Sequence, residues 1–241
     1  MFDILFAYIF SIYGNEYGCK MIKKIDILGI QLDNYTVREA IMHVEAWYDN
    51  NMLNVIEMVS MQMLTESESD PVLKEVISSL DLAVIGEKGI LQAAGVDTMQ
   101  RIRETEENDF SDEFLKRVER NRKSVFIIGE TQGAVDEFIQ ELREEYPKLV
   151  LAGAAATENC VGDLEGVINE MNAATPDVII SIIPSPGQEH FLVEHRDKIN
   201  ANLWYGIGGF EVHRKRSRIK SFFWNLIQRV RLKNSIEKYE S

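Results

Sequence analysis

From Met21 onward, short apolar runs alternate with stretches in which apolar residues recur every three or four positions. The runs at 24–28, 53–59, 82–85, 124–128, 149–152, 178–183 and 203–207 are rich in Val, Ile and Leu, mostly on consecutive positions. That pattern predicts strands buried on both faces. Helices are expected between them, at 36–48, 71–79, 111–120, 133–146, 163–174 and 188–199. In the first, Thr36 and Glu39 have capping-box spacing, and Val37, Ile41, Val44 and Tyr48 follow at helical intervals. Pro71 after Asp70 suits a first turn, and Pro147 ends the helix at 133–146. Strand and helix in alternation imply parallel pairing with right-handed crossovers. The expected fold class is therefore α/β, a Rossmann-like parallel sheet flanked by helices.

After Gly206-Ile-Gly-Gly-Phe210 the alternation stops, and 214–233 reads as one or two basic amphipathic helices. Three regions follow: an N-terminal extension at 1–20, an α/β domain at 21–210 and a basic amphipathic tail at 211–241. The segment 2–13 is apolar but lacks a preceding basic residue and a small-residue cleavage site, which makes it a poor signal peptide. Met21 offers a second plausible start.

The 241 residues are 45% hydrophobic and 27% charged, an ordinary globular balance with enough chain for a sizeable core. A net charge of -13 argues against nonspecific nucleic-acid binding. The charge is uneven, because the tail carries Arg214, Lys215, Arg216, Arg218, Lys220, Arg229, Arg231 and Lys233 with no acid among them. With Phe222, Phe223 and Trp224, that composition suits an anionic membrane surface, and Arg214, Lys215, Arg216, Arg218, Trp224, Arg229 and Arg231 are the expected contacts. The alternative is docking of the tail on its own acidic body. Two cysteines cannot form a disulfide framework and fit a reducing compartment. No stretch is long and apolar enough to span a bilayer. His190 and His195 stand five apart on an expected solvated helix face, so no metal site is expected. The acidic runs 66–70 and 104–109 are expected as solvated surface.

Four segments in order carry a family resemblance. They are LGIQLDNYTVREAI from Leu28, SVFIIGETQGAVDEFIQELREEYPKLVLAG from Ser124, INEMNAATPDVIISIIPSPGQEHFL from Ile168 and YGIGGF from Tyr205. Together they resemble the bacterial WecG/TagA/CpsF glycosyltransferases over most of 21–210. The resemblance implies an inverting transferase that moves an N-acetylhexosamine, N-acetylmannosamine in well-known members, from a UDP-sugar donor to a polyprenyl-diphosphate-linked sugar acceptor. It implies cell-surface polysaccharide synthesis, a cytoplasmic protein peripheral at the inner face of the membrane, and no obligatory metal or other cofactor. A homo-oligomer is suggested by analogy only.

Sugar transfer needs a base for the acceptor hydroxyl and donors for the charge growing on the departing diphosphate. The family's catalytic Asp position holds Gly86 here, and the neighbouring Glu87 is the candidate base. If Glu87 is only a loop residue, the chain is a noncatalytic sugar-nucleotide-binding or partner protein on the same fold. The family's T-x-N positions fall at Met58 and Ser60, of which only Ser60 keeps a hydrogen-bonding side chain. Arg101 is the candidate diphosphate partner. Ser185-Pro186-Gly187-Gln188-Glu189 opens a helix beyond a strand, where ligands of α/β sheets bind, so Gln188 and Glu189 are candidate substrate contacts. Gly129, Gly208 and Gly209 could line the nucleotide cleft.

Overall fold

The computed structural model describes residues 23–50, 52–160 and 164–208. The chain opens with a hairpin of β1 (Lys24–Ile27) and β2 (Ile30–Asp33), followed by helix α1 (Val37–Trp47). Then come β3 (Asn54–Val59), α2 (Met61–Glu66), α3 (Pro71–Ser79), β4 (Leu82–Ile85), α4 (Lys88–Ala93), α5 (Met99–Glu106) and α6 (Asp109–Arg120). The second half runs β5 (Ser124–Gly129), α7 (Gln132–Glu145), β6 (Val150–Ala156), α8 (Glu165–Ala174), β7 (Val178–Ser181), α9 (Gly187–His195) and β8 (Leu203–Gly206).

Six strands form one sheet in the order β4-β3-β8-β7-β5-β6, every pair parallel. This is the predicted α/β sheet. β3, β7 and β8 are buried at every position, which explains why their sequences show no polar alternation. On one face α1, α6 and α7 pack against Ile56, Met58, Ile127, Ile180 and Tyr205. On the other, α3, α8 and α9 cover Val55, Ile128, Ile179 and Trp204. A further apolar cluster joins the hairpin to α2, α3, α4 and the ends of β3 and β4.

Local chemistry sets the element starts. Thr36 Oγ1 accepts the Glu39 N–H, and the Glu39 carboxylate accepts the Thr36 N–H, a reciprocal cap. Asp70 accepts from Val72 and Leu73 N–H ahead of Pro71. Asp177 does the same work for a strand. Its carboxylate accepts the Ser124 N–H at 2.7 Å and the Ser124 hydroxyl at 2.8 Å, so the loop before β7 pins the start of β5.

Three expectations are corrected. The run at 24–28 does not join the parallel sheet; it pairs antiparallel with β2, a strand the periodicity did not reveal. Its one-sided burial is what a half-covered hairpin needs. The turn residues Leu28 and Gly29 lie at φ 56° and 77°, as a two-residue hairpin turn requires, yet no Asn-Gly or Asp-Gly signals it. The strand expected at 149–152 begins at Val150 and continues to Ala156, and at Gly153 the Phe126 ring sits where a β-carbon would be. The acidic run 104–109 is not a solvated loop: it spans the end of α5 and the start of α6, and Glu104 is buried.

Candidate active site at the carboxyl end of the sheet

Because the six strands run the same way, their carboxyl ends share one edge, where the loops after β3, β4, β7 and β8 emerge. Ligands of α/β sheets bind beyond such an edge. Two polar groups of residues are built there.

The first lies where β3 and β4 end. Ser60 is the N-cap of α2, its hydroxyl accepting the Met63 N–H at 3.0 Å. Glu87 follows β4, and its Oε1 accepts the Met61 N–H at 3.2 Å. Thus Ser60 and Glu87, remote in sequence, cap the same short helix from two sides. The other Glu87 oxygen is buried and meets no donor among the described residues. Burial pushes the Glu87 carboxyl above its ordinary value, and the Met61 N–H offsets only part of that. A carboxylate so placed is a stronger proton acceptor than one in water.

The second group lies where β7 and β8 end. The 185–189 turn folds back onto the sheet rather than outward. The Gln188 side chain rests on Gly206, where a β-carbon would meet its amide at 2.7 Å. Gln188 is only 1% exposed and Glu189 is fully buried. Gly208, at φ 54°, runs close beside the Ser185 N–H and the Ile183 carbonyl. Burial pushes the Glu189 carboxyl up, while its own backbone N–H, Gln188, Ser185 and His190 pull the other way.

Sequence reasoning missed Glu57 in this group. It lies in β3 in register with Gly206 of β8, is fully buried, and faces Glu189. Neither of its oxygens meets a donor among the described residues. Burial, then the charge and the hydrogen-bonding contact of Glu189, push its carboxyl well above the usual carboxylate range. The available signal was a lone acid inside a run otherwise apolar enough to be buried on both faces.

The remaining expected site residues have partners of their own. Arg101 is buried, and its guanidinium donates to Glu104 at 2.8 Å and to Asn34 Oδ1 at 3.2 Å. Glu104 in turn accepts from Gln100 at 2.8 Å. The guanidinium thus belongs to an internal pair bordering a cavity of about 30 Å³ lined by Met58, Ile85 and Phe110. Gly129 has a packing reason to be glycine, since a β-carbon there would meet Val135 at 2.7 Å and Ile182 at 2.9 Å. The N–H of Gln132 just beyond it is taken at 2.5 Å by the Glu158 carboxylate of the chain itself. His195 is not on a solvated face: its side chain is 12% exposed and its ring sits 4.9 Å from that of Phe191. His190 is exposed and meets Asp70 at 3.2 Å. Gly209 and the expected membrane contacts Arg214, Lys215, Arg216, Arg218, Trp224, Arg229 and Arg231 lie outside the described residues. No cluster of three or more metal-ligating side chains occurs among the described residues.

The profile of the glycosyl transferase WecG/TagA/CpsF family matches residues 25–214, a span that takes in both polar groups. The chain belongs to this family. It is 23% identical over 191 residues to an N-acetylglucosaminyldiphosphoundecaprenol N-acetyl-beta-D-mannosaminyltransferase of Staphylococcus aureus strain NCTC 8325 / PS 47, covering 77% of this chain and 73% of the relative. The protein of the same name from strain MRSA252 is 22% identical over the same shares. Within this glycosyltransferase family chain, the Pro-Asp of the TPDVIIS segment has a structural duty, through the clamp of Asp177 on Ser124. The S-P-G-Q-E segment is the one that reaches the carboxyl edge.

Proposed function

We propose that the protein transfers an N-acetylhexosamine, N-acetylmannosamine by analogy with the Staphylococcus aureus relatives, from a UDP-sugar to a sugar on a polyprenyl diphosphate. The acceptor hydroxyl oxygen attacks the anomeric carbon, the bond from that carbon to the diphosphate oxygen breaks, and UDP leaves with the electron pair. Glu87 takes the hydroxyl proton. Ser60 and the 185–189 turn with Gln188 line the cleft, and Gly208 lets the backbone pass close to that turn.

The observation that carries this reading is the Glu87 carboxylate. It stands at the end of β4, one residue after the position of the family's Asp, with one oxygen fixed by the Met61 N–H and the other unengaged among the described residues. Fixing one oxygen orients the other, which is how a base is held ready. A lipid-linked acceptor fits a reaction at the inner membrane face, and the basic tail, with Arg214, Lys215, Arg216, Arg218, Arg229 and Arg231, would supply charge for anionic lipid. Among the described residues no helix is long and apolar enough to cross a membrane.

The second reading, a noncatalytic sugar-nucleotide-binding protein, is favoured by Arg101, whose guanidinium is already engaged by the buried Glu104 carboxylate. One assay separates the two: UDP release from UDP-N-acetylmannosamine with a short lipid-linked N-acetylglucosamine acceptor, wild type beside Glu87→Gln. Release that needs both the acceptor and Glu87 supports the transferase. UDP-sugar binding without release, across several donors and acceptors, supports the second reading.

A further inference from the structure

The second polar group contains more buried acid than sugar binding explains. Glu57 and Glu189 are both at 0% exposure, come from β3 and α9, and are within hydrogen-bonding reach of each other. The Gln188 amide donates to Glu189 Oε1 at 3.3 Å, which leaves Glu189 Oε2 and both Glu57 oxygens without a donor among the described residues. The groups around the pair are few, and on the turn before α9 the Ser185 side chain also lies toward Glu189. From β8 comes Gly206, with no side chain, and from β4 Ala83 stands in register with Glu57. From α9 comes His190, which lies toward Glu189 but is bonded to Asp70 at the start of α3. No Lys or Arg among the described residues pairs with either glutamate.

Two carboxylates cannot both be charged there. Leaving even one unpaired ion in such an interior is strongly unfavourable, and two face to face add repulsion. One proton removes a charge and supplies the missing donor at once.

We propose that Glu57 is a positioning residue, carried as a neutral acid that donates its proton to Glu189 Oε2. The shared proton ties β3 to the first turn of α9 and so fixes the 185–189 turn, with the Gln188 amide seated on Gly206. The pair stands on burial and on its place in the fold, since Glu57 is in register with Gly206 and the Gln188 amide next to Glu189 lies on that same glycine; only the use of the turn in donor binding rests on the glycosyltransferase reading. The direction of the Glu57 shift agrees, since burial and Glu189 both favour its neutral form.

The sign of the pH dependence follows. An acid whose folded value is raised contributes stability that is fully present below its unfolded value and is lost as pH rises through the folded value. Glu57→Gln keeps the shape and a donor but cannot ionise. Its advantage in melting temperature over wild type therefore grows from mildly acidic to alkaline pH.

Three measurements on the full chain test the pair. Infrared difference spectra between wild type and Glu57→Gln at neutral pH should contain the carbonyl stretch of a protonated carboxylic acid. Melting curves across pH should show the growing gap. Hydrogen exchange should be about tenfold faster at the Ser185, Gly187, Gln188 and Glu189 amides in Glu57→Leu and return to the wild-type rate in Glu57→Gln. No carboxylic-acid band at neutral pH, or a pH-independent gap, overturns the shared proton. Equal exchange in the Leu variant overturns the positioning role, and if that variant fails to fold, faster exchange in Glu57→Gln does so. UDP-sugar binding, measured separately, should weaken in Glu57→Leu and recover in Glu57→Gln. Absence of UDP-sugar binding by wild type strikes at the glycosyltransferase reading and leaves the other three measurements valid.

Discussion

The amide of Gln188 lies on the α-carbon of Gly206, where an added β-carbon would stand 2.7 Å from both Nε2 and Oε1. The glycine at the end of β8 is what allows a polar side chain to lie flat on the sheet. Gly206→Ala should therefore lower stability by about 1–3 kcal/mol, the usual cost of overpacking. Gln188→Ala in the same chain should recover part of that loss, since the clash goes with the amide. Chemical denaturation of the two single variants and the double variant checks both statements.

Glu87→Gln should separate chemistry from capping. Its amide oxygen can still accept the Met61 N–H, so the melting temperature should change little, while transfer should fall about a hundred- to ten-thousandfold. Glu87→Ala should lose the cap as well, at about 1 kcal/mol. The base works ionised and its folded value is raised, so wild-type turnover should climb with pH through that value, as a pH–rate profile would show.

Arg101 and Glu104 should behave as an internal pair. Arg101→Ala leaves Glu104 buried without its partner and should destabilise by about 3–5 kcal/mol. Arg101→Met with Glu104→Leu should be much milder. If Arg101 instead served the donor diphosphate from the cleft, Arg101→Ala would raise the KM for donor and leave the denaturation midpoint in place.

Asp177 should give the fold an acid-side weakness. Burial alone would raise its carboxyl, but the Ser124 N–H and hydroxyl and the Lys123 ammonium outweigh it and hold it below the ordinary value. A depressed acid contributes stability above its unfolded value and loses it as pH falls through the folded value. Asp177→Asn should thus be less stable than wild type at neutral pH, with the gap closing in acid. Melting temperatures at descending pH would show the convergence.

Much of this was legible in the chain because the sheet is parallel and covered on both faces. Strands such as Val178–Ser181 announce themselves by unbroken apolar runs, and Thr36 with Glu39 states a helix start outright. The carboxyl-edge position of 185–189 followed from the same reasoning. What stayed hidden depends on partners distant in sequence. Glu104 looks solvated among its acidic neighbours until Arg101 turns inward beside it from one helical turn away. Leu28 at positive φ gives no turn signal, because only the fold around it holds that conformation. Glu57 reads as an exception within a strand, and its meaning requires Glu189, more than a hundred residues on, at the start of α9. Gly129 has a reason to be glycine that no local pattern shows, since its missing side chain makes room for Val135 and Ile182.

The hairpin has a consequence for how this sheet can be extended. Asp33 Oδ2 accepts the Ala83 N–H at 3.0 Å, so a carboxylate occupies a main-chain donor on the outer border of β4. A strand arriving there would find that donor spent and the hairpin in its way. At the opposite border, β6 has no flanking strand among the described residues and shows Val150 at 43% exposure. Among the described residues, the border formed by the alanine-rich strand is thus the one better suited to main-chain pairing with an incoming segment.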